Sequence, residues 1–368
     1  MSVSALFRRF IEYYEQRGAL RTVGATARYC GTEIDFLCKS LQKMYNWDQG
    51  KGYPLRLRVR AVRHGFSAHS YLWLGLNDPD RDAAEYLSST KRIWKLNHEY
   101  VRPIHDKHTF QTLTAPHIDA LPTLYGRIDD GQFDPSVAGG HETGLFAALD
   151  RGESVVLKPS TGSQGDGIHI VGQDGDTLSI DGDPASRAEI TDLIGSLDGY
   201  IATEFVTQHS YAASIYPDAT NTLRLFSIID SETGDASVLR AAHRFGSAAS
   251  APTDNWSRGG YCAPVDTETG CIGQLISLAE PPRSERDRHP ETDARVQGVT
   301  VPHWDEVCDL VRRVAEVHRH APLVGWDVVV GTEGPIILEG NERPGKELLQ
   351  LEHGILEDPR ARRLLELS

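Results

Sequence analysis

One stretch limits what this chain can fold into: residues 155–170, VVLKPSTGSQGDGIHI, an apolar run closed by Lys158, a loop of small residues, and a second apolar run. Two short apolar runs around such a loop predict an antiparallel β-hairpin. The glycines Gly162, Gly165 and Gly167 tolerate positive φ and let backbone N–H groups approach an anion, while Lys158 adds a point charge beside them. The same residues also suit an ordinary hairpin with a surface lysine. Neither G-x-x-x-x-G-K-[ST] nor a helix-opening G-x-G-x-x-G is present, so the choice between phosphate clasp and plain turn falls to the remaining sequence.

A chain of 368 residues can form two or three lobes and bury a large core. Its net charge of −14 argues against nucleic acid as a partner. Only 8 of its 38 basic residues are lysine, which makes a lysine beside a glycine loop more telling than usual. No run approaches the length of apolar sequence that spans a bilayer, and Met1 to Leu20 is charged throughout. The expectation is a cytoplasmic protein with no membrane span. Cys30, Cys38, Cys262, Cys271 and Cys308 form no C-x-x-C pair and read as buried thiols.

The first hundred residues read as helical. Leu6 to Tyr14 and Ile34 to Tyr45 carry apolar residues at helical spacing, and Arg56 to Leu76 reads as a helical arm bearing Arg58, Arg60, Arg63 and His64. Those basic groups suit either an anionic ligand or a solvated face. From Asp106 the pattern shifts to short strands and helices. Helices are predicted over Thr109–Leu113, Glu142–Leu149, Asp192–Leu197 and Trp304–His320. Strands are predicted over Ser154–Lys158, Gly167–Val171, Tyr200–Val206, Thr222–Asp230, Ala236–Phe245, Cys262–Asp266, Leu323–Val330 and Pro335–Glu339, with Glu280–Arg295 as a surface loop.

The last hairpin carries the second signal. Asp327 lies on its first strand, Glu339 ends its second, and Asn341 follows two residues on, so three oxygen donors can converge on one side. Such a set suits magnesium. Asp327 ending a strand, Glu339 pairing with an arginine and Asn341 capping a turn is the alternative. Carboxylates within the apolar strands VVV and IIL would be costly to bury without a cation or hydrogen-bond donors.

Lys107, the Lys158 to Gly167 segment, Thr203 to Val206, and Asp327 to Asn341 occur in this order at separations that resemble the ATP-grasp superfamily. Tyr216 to Arg224 (YPDATNTLR), Gly259-Gly260 ahead of Ala263 to Asp266, and Asn341-x-x-Pro344-Gly345 are similar to its sugar-transfer associated branch, whose genes tend to lie near polysaccharide-assembly genes. The resemblance implies an α+β fold, with two lobes and ATP between their sheets, preceded by a helical N-terminal region. On that basis residues 1–104 form the helical region, 105–205 the first lobe with the glycine loop, 206–352 the second lobe with the metal site, and 353–368 a C-terminal helix.

Carried over residue by residue, the resemblance implies that Lys107 and Lys158 touch the nucleotide phosphates under a lid built from Ser160, Gly162, Ser163, Gly165 and Gly167. Glu204, Phe205 and Val206 would hold adenine, with His209 near the ribose. Asp327, Glu339 and Asn341 would hold one or two magnesium ions, with manganese as an acceptable substitute. Arg224 would face the transferring phosphoryl group as a permanently charged planar donor, with Asn221 beside it. The ribose contact departs from better-characterised relatives, because Gln208-His209-Ser210 stands where many carry an acidic residue.

The expected activity is ligation: a small-molecule carboxylate is activated by ATP as an acyl phosphate and then captured by an amine, with a link to cell-surface polysaccharide synthesis. Phosphorylation of a hydroxyl and a nucleotide-binding scaffold role in glycan assembly are the alternatives. Specificity is expected from the N-terminal helices and from Arg240 to Arg258. The sequence leaves the oligomeric state open, a dimer included.

Overall fold

A computed structural model describes residues 52–98, 101–135, 144–162, 165–174, 177–277 and 283–366. The helices expected over Leu6–Tyr14 and Ile34–Tyr45, and Cys30, Cys38 and Ser163, lie outside the described residues. The chain divides into two compact units, 1–72 and 73–368.

In the first unit, the arm expected as one helix over Arg56–Leu76 is broken. Helix α1 (Leu55–Arg63) stops where Gly65 adopts φ 83° and the Phe66 N–H turns back to the Ala61 carbonyl at 3.0 Å, and helix α2 (Ala68–Trp73) starts afresh.

The second unit holds two seven-stranded sheets in which every pairing between strands is antiparallel. The first contains β1 (Leu124–Asp129), β2 (Gln132–Asp134), β3 (Val155–Pro159), β4 (His169–Asp174), β5 (Thr177–Ile180), β6 (Asp183–Ala185) and β7 (Tyr200–Glu204), in the order β2-β1-β7-β3-β4-β5-β6. The glycine segment joins β3 to β4, whose register pairs Val155 with Val171 and Leu157 with His169. Val155, Leu157, Val171 and Ala202 face helices Leu145–Asp150 and Arg187–Ser196 in one buried cluster. The second of these helices begins five residues before the expected Asp192. Ser186 and Glu189 form a reciprocal capping box there, satisfying donors that the first turn leaves free.

The second sheet contains β8 (Leu223–Ile229), β9 (Ala236–Phe245), β10 (Tyr261–Val265), β11 (Leu275–Ser277), β12 (Ser284–Arg286), β13 (Leu323–Val330) and β14 (Pro335–Asn341), in the order β12-β11-β10-β9-β8-β13-β14. Helix Trp304–Val317 buries Val307, Leu310, Val311 and Val314 against it, as its apolar stripe demands. The stretch Glu280–Arg295, expected to be a loop, contributes the edge strand β12, and 278–282 lie outside the described residues. Charged residues are tolerated there because an edge strand pairs on one side only.

Helix Lys107–Thr114 connects the two halves. Phe110 joins the core of the second sheet, with its ring 6.0 Å from that of Trp326, while the Lys107 N–H donates to the Ser160 carbonyl at 2.8 Å just beyond β3. Asp106 caps the helix, its Oδ1 accepting from the Thr109 N–H at 2.7 Å.

Candidate functional site

A cavity of ≈ 470 Å³ lies between the two sheets, and it gathers most of the residues singled out in the sequence: Lys107, Lys158, Gly162, Gly165, Glu204, Phe205, Val206, Arg224, Glu339 and Asn341 all line it. The hairpin is the closing flap of this space. Gly162, Gly165 and Gly167 have φ of 151°, 75° and 70°, a region in which a side chain at these positions would be strained. Gly165 packs so closely on the second lobe that a Cβ there would stand 2.9 Å from Thr253 Cγ2. Asp166 forms an ion pair with Arg258. The flap is therefore docked on the loop that follows β9.

The two lysines converge, Lys158 from β3 and Lys107 from the start of helix Lys107–Thr114. Lys107 Nζ donates to the Gly162 carbonyl at 3.1 Å and lies 3.3 Å from Glu339 Oε2, so it bridges flap and second sheet. Lys158 is buried, and loss of solvent pushes its ammonium down to about 8; the Glu339 charge opposes that shift and the Lys107 charge adds to it. A phosphate beside it would restore the proton's favour.

At the other end, β7 runs into Glu204, Phe205 and Val206. The Glu204 carboxylate accepts from the Thr123 N–H at 3.1 Å and from its hydroxyl at 2.9 Å, which fixes the linker against β1. Val156, Ile168, Ile170, Leu338 and Leu348 add apolar lining to the cavity, the surroundings a flat ring requires.

Glu339 and Asn341 stand two apart on β14 and share a face. A β-bulge lies just before them: Asp327 pairs with Glu339 while Val328 pairs with Ile337, leaving Leu338 as the extra residue. Asn341 Nδ2 is buried with no hydrogen-bond partner. Asp327, expected with these two as a metal ligand, has other partners. Its Oδ2 accepts from Arg224 Nη2 at 3.0 Å and Arg244 Nη2 at 3.1 Å, and its Oδ1 accepts from Arg224 Nε. Burial raises its carboxyl, and the two guanidinium charges more than offset that and hold it below the ordinary carboxylate range.

The arginine cluster continues. Arg244 also pairs with Asp254 at 3.2 Å, and the Asp254 carboxylate accepts from the Thr222 N–H at 2.7 Å and hydroxyl at 2.6 Å. Thr222, Arg244, Asp254, Asn255 and Trp256 all line the cavity, within or beside the Arg240–Arg258 stretch expected to carry specificity.

The structure places three expected residues elsewhere. The Ser160 hydroxyl donates to Asp106 Oδ2 at 2.5 Å and its N–H to the Gly199 carbonyl at 2.8 Å, so it anchors the base of the flap. Asn221 is buried with its Nδ2 donating to Gln208 Oε1 and to the Ala212 and Tyr216 carbonyls, and its Oδ1 accepting from the Gly246 N–H; every group is used in holding the chain. His209 caps the short helix Ser210–Ala213, its ring nitrogen accepting from the Tyr211 N–H at 3.2 Å.

The model of the sugar-transfer associated ATP-grasp family matches residues 89–362. The chain belongs to that family. The two sheets are accordingly the lobes of the α+β ATP-grasp fold, and the flap closes over the space between them. No curated protein matches this sugar-transfer associated ATP-grasp chain. Among solved structures it is similar to an L-amino acid ligase from Bacillus licheniformis (11% identity, covering 72% of this chain and 48% of that one, TM-score 0.36). It is also similar to D-cycloserine synthetase (17%, 73% and 72%, TM-score 0.40) and to D-alanyl-alanine synthetase A from Vibrio cholerae (14%, 72% and 65%, TM-score 0.39). The chain thus spans about half the length of the first of these. No helix among the described residues is long and apolar enough to cross a membrane.

Arg343, two residues past Asn341, is a further cavity residue that the sequence reading passed over. Its guanidinium lies 4.8 Å from the Trp94 ring centroid, a stack that fixes its direction. The E-x-N-x-R spacing was visible, but its orientation depends on Trp94, far away in sequence.

Proposed function

We propose that this protein is an ATP- and magnesium-dependent ligase that joins a small-molecule carboxylate to an amine. The observation that carries the reading is the single cavity in which two lysines and a glycine flap meet a carboxylate–amide pair at one end, with a backbone linker between apolar walls at the other. A nucleoside triphosphate fits that polarity along its length. Glu339 and Asn341 fit a hard cation through oxygen, one offering a carboxylate that stands beside Lys107 and the other an amide oxygen, and both line the cavity. Magnesium held there would neutralise polyphosphate charge. Asp327 is read as the group that orients Arg224 and Arg244.

In this reading Lys107 and Lys158 hold the polyphosphate straight, and the docked flap excludes water from the activated substrate. A substrate carboxylate oxygen attacks the γ-phosphorus, the bond from that phosphorus to the β–γ bridging oxygen breaks, and ADP leaves. The amine nitrogen then attacks the acyl carbon, the carbon–oxygen bond to phosphate breaks, and the amine proton passes to solvent or phosphate. Arg224 and Arg244 face the charge that accumulates during both displacements. The family's description as sugar-transfer associated is what suggests a substrate linked to glycan assembly.

The test is ADP release measured over a panel of substrates, with mass-spectrometric detection of ATP-dependent adducts from a metabolite extract. Turnover that needs a carboxylate and an amine together upholds the reading. ADP formed with a single hydroxyl substrate would make the protein a kinase, and no ADP with any substrate would leave a nucleotide-binding scaffold.

A further inference from the structure

The basic arm noted in the sequence has no part in the cavity, and its geometry points to a separate surface. Helix α1, LRLRVRAVR, contains four arginines and no acidic residue. The whole stretch 52–72 carries no Asp or Glu, so it holds a formal charge of +4 on a chain whose total is −14. Leu55, Arg56, Val59, Arg60 and Arg63 are all exposed. They fall at i, i+1, i+4, i+5 and i+8, which places them on one face. Ala61 is buried on the opposite side.

Leu55 and Val59 are 64% and 38% exposed, two of only four large apolar side chains so exposed among the described residues. They lie one turn apart in the same stripe as the arginines. No acidic side chain pairs with Arg56, Arg60 or Arg63 among the described residues; Arg60 leans over the Tyr71 ring at 5.9 Å. A polyanion such as a nucleic acid duplex would use the arginines and leave the alkyl groups in water. An anionic lipid surface uses both, taking the guanidinium groups at the headgroups and the alkyl side chains just beneath.

We propose that helix α1 is a peripheral docking surface for membranes rich in anionic phospholipid, lying flat on the headgroups. The test is co-sedimentation of the full chain with vesicles of phosphatidylcholine alone and of phosphatidylcholine with one third phosphatidylglycerol, at low and at physiological salt. Binding is expected to the anionic vesicles only and to weaken with salt. Each basic side chain at such a surface is worth a factor of about five, so Arg56→Glu with Arg60→Glu and Arg63→Glu is expected to reduce partitioning at least tenfold. Leu55→Ser with Val59→Ser, which keeps the charge, is expected to reduce it severalfold while nucleotide binding is retained in both variants. No anionic-vesicle binding, equal binding to neutral vesicles, or wild-type binding by both variants would overturn the proposal. So would binding to a DNA duplex as tight as to vesicles and indifferent to the Leu55 and Val59 changes, which would assign the face to nucleic acid.

Discussion

Asp327→Asn separates the two roles available to that carboxylate. In the structure it is 4% exposed and faces Arg224 and Arg244, with three hydrogen bonds to them. Removing its charge leaves two guanidinium groups side by side on the cavity wall, with little of either exposed to water. Breaking a buried ion pair from one side costs roughly 3–5 kcal/mol. Asparagine keeps one acceptor oxygen and Arg244 keeps Asp254, so the low end, about 3 kcal/mol, is expected. For a unit of this size a urea slope of about 3 kcal/mol/M turns that into a midpoint about 1 M lower. Urea titration followed by tryptophan fluorescence measures it. Adding Arg224→Gln should recover part of the loss, because the second change removes the charge that the first left unpaired. A midpoint within about 0.3 M of the wild type, together with loss of magnesium dependence, would refute the clamp and make Asp327 a metal ligand.

Lys158→Ala and Glu339→Gln are each expected to abolish ATP turnover with an unchanged circular dichroism spectrum; normal turnover in both would remove the site assignment. Gly165→Val combines a disfavoured φ of 75° with a Cβ 2.9 Å from Thr253 Cγ2, so it should hold the flap off the second lobe and raise the KM for ATP in steady-state assays. His243 is buried, and burial pushes its imidazole from 6.5 down to about 3, so it stays neutral in the fold while the unfolded chain takes up a proton below pH 6.5. Stability is therefore complete above pH 6.5 and falls as pH drops towards 3, by up to about 1.4 kcal/mol per pH unit from this group. His243→Gln should flatten that acid limb in denaturation curves taken from pH 7 to 4, and an unchanged slope would mean that the group is not neutral in the fold.

Much of the site was legible because its signals are local. The hairpin around Lys158 announces itself by two apolar runs and three glycines, and Glu339 and Asn341 by their place at the end of an apolar strand. The Ser186-x-x-Glu189 box also lay in plain view and would have set the helix start at Arg187, had it outweighed the weaker apolar spacing there. The arginine cluster was not legible. Arg224 faces Asp327 across 103 residues because β8 and β13 are neighbours in a register that pairs those two positions. Strand order is settled by the whole sheet, and no short window encodes it. The same holds for Asn221, which sits in a motif that invites a chemical role while its four hydrogen bonds are spent on the chain around it.

Gly165 and Asp166 rest on the loop of Thr253 and Arg258. That loop also supplies Thr253, Asp254, Asn255, Trp256 and Ser257 to the cavity wall, so the residues that hold the flap are neighbours of those that shape the space. On the ligase reading, a substrate seated against that wall would be enclosed together with the nucleotide, and both products would wait on the same contact to break.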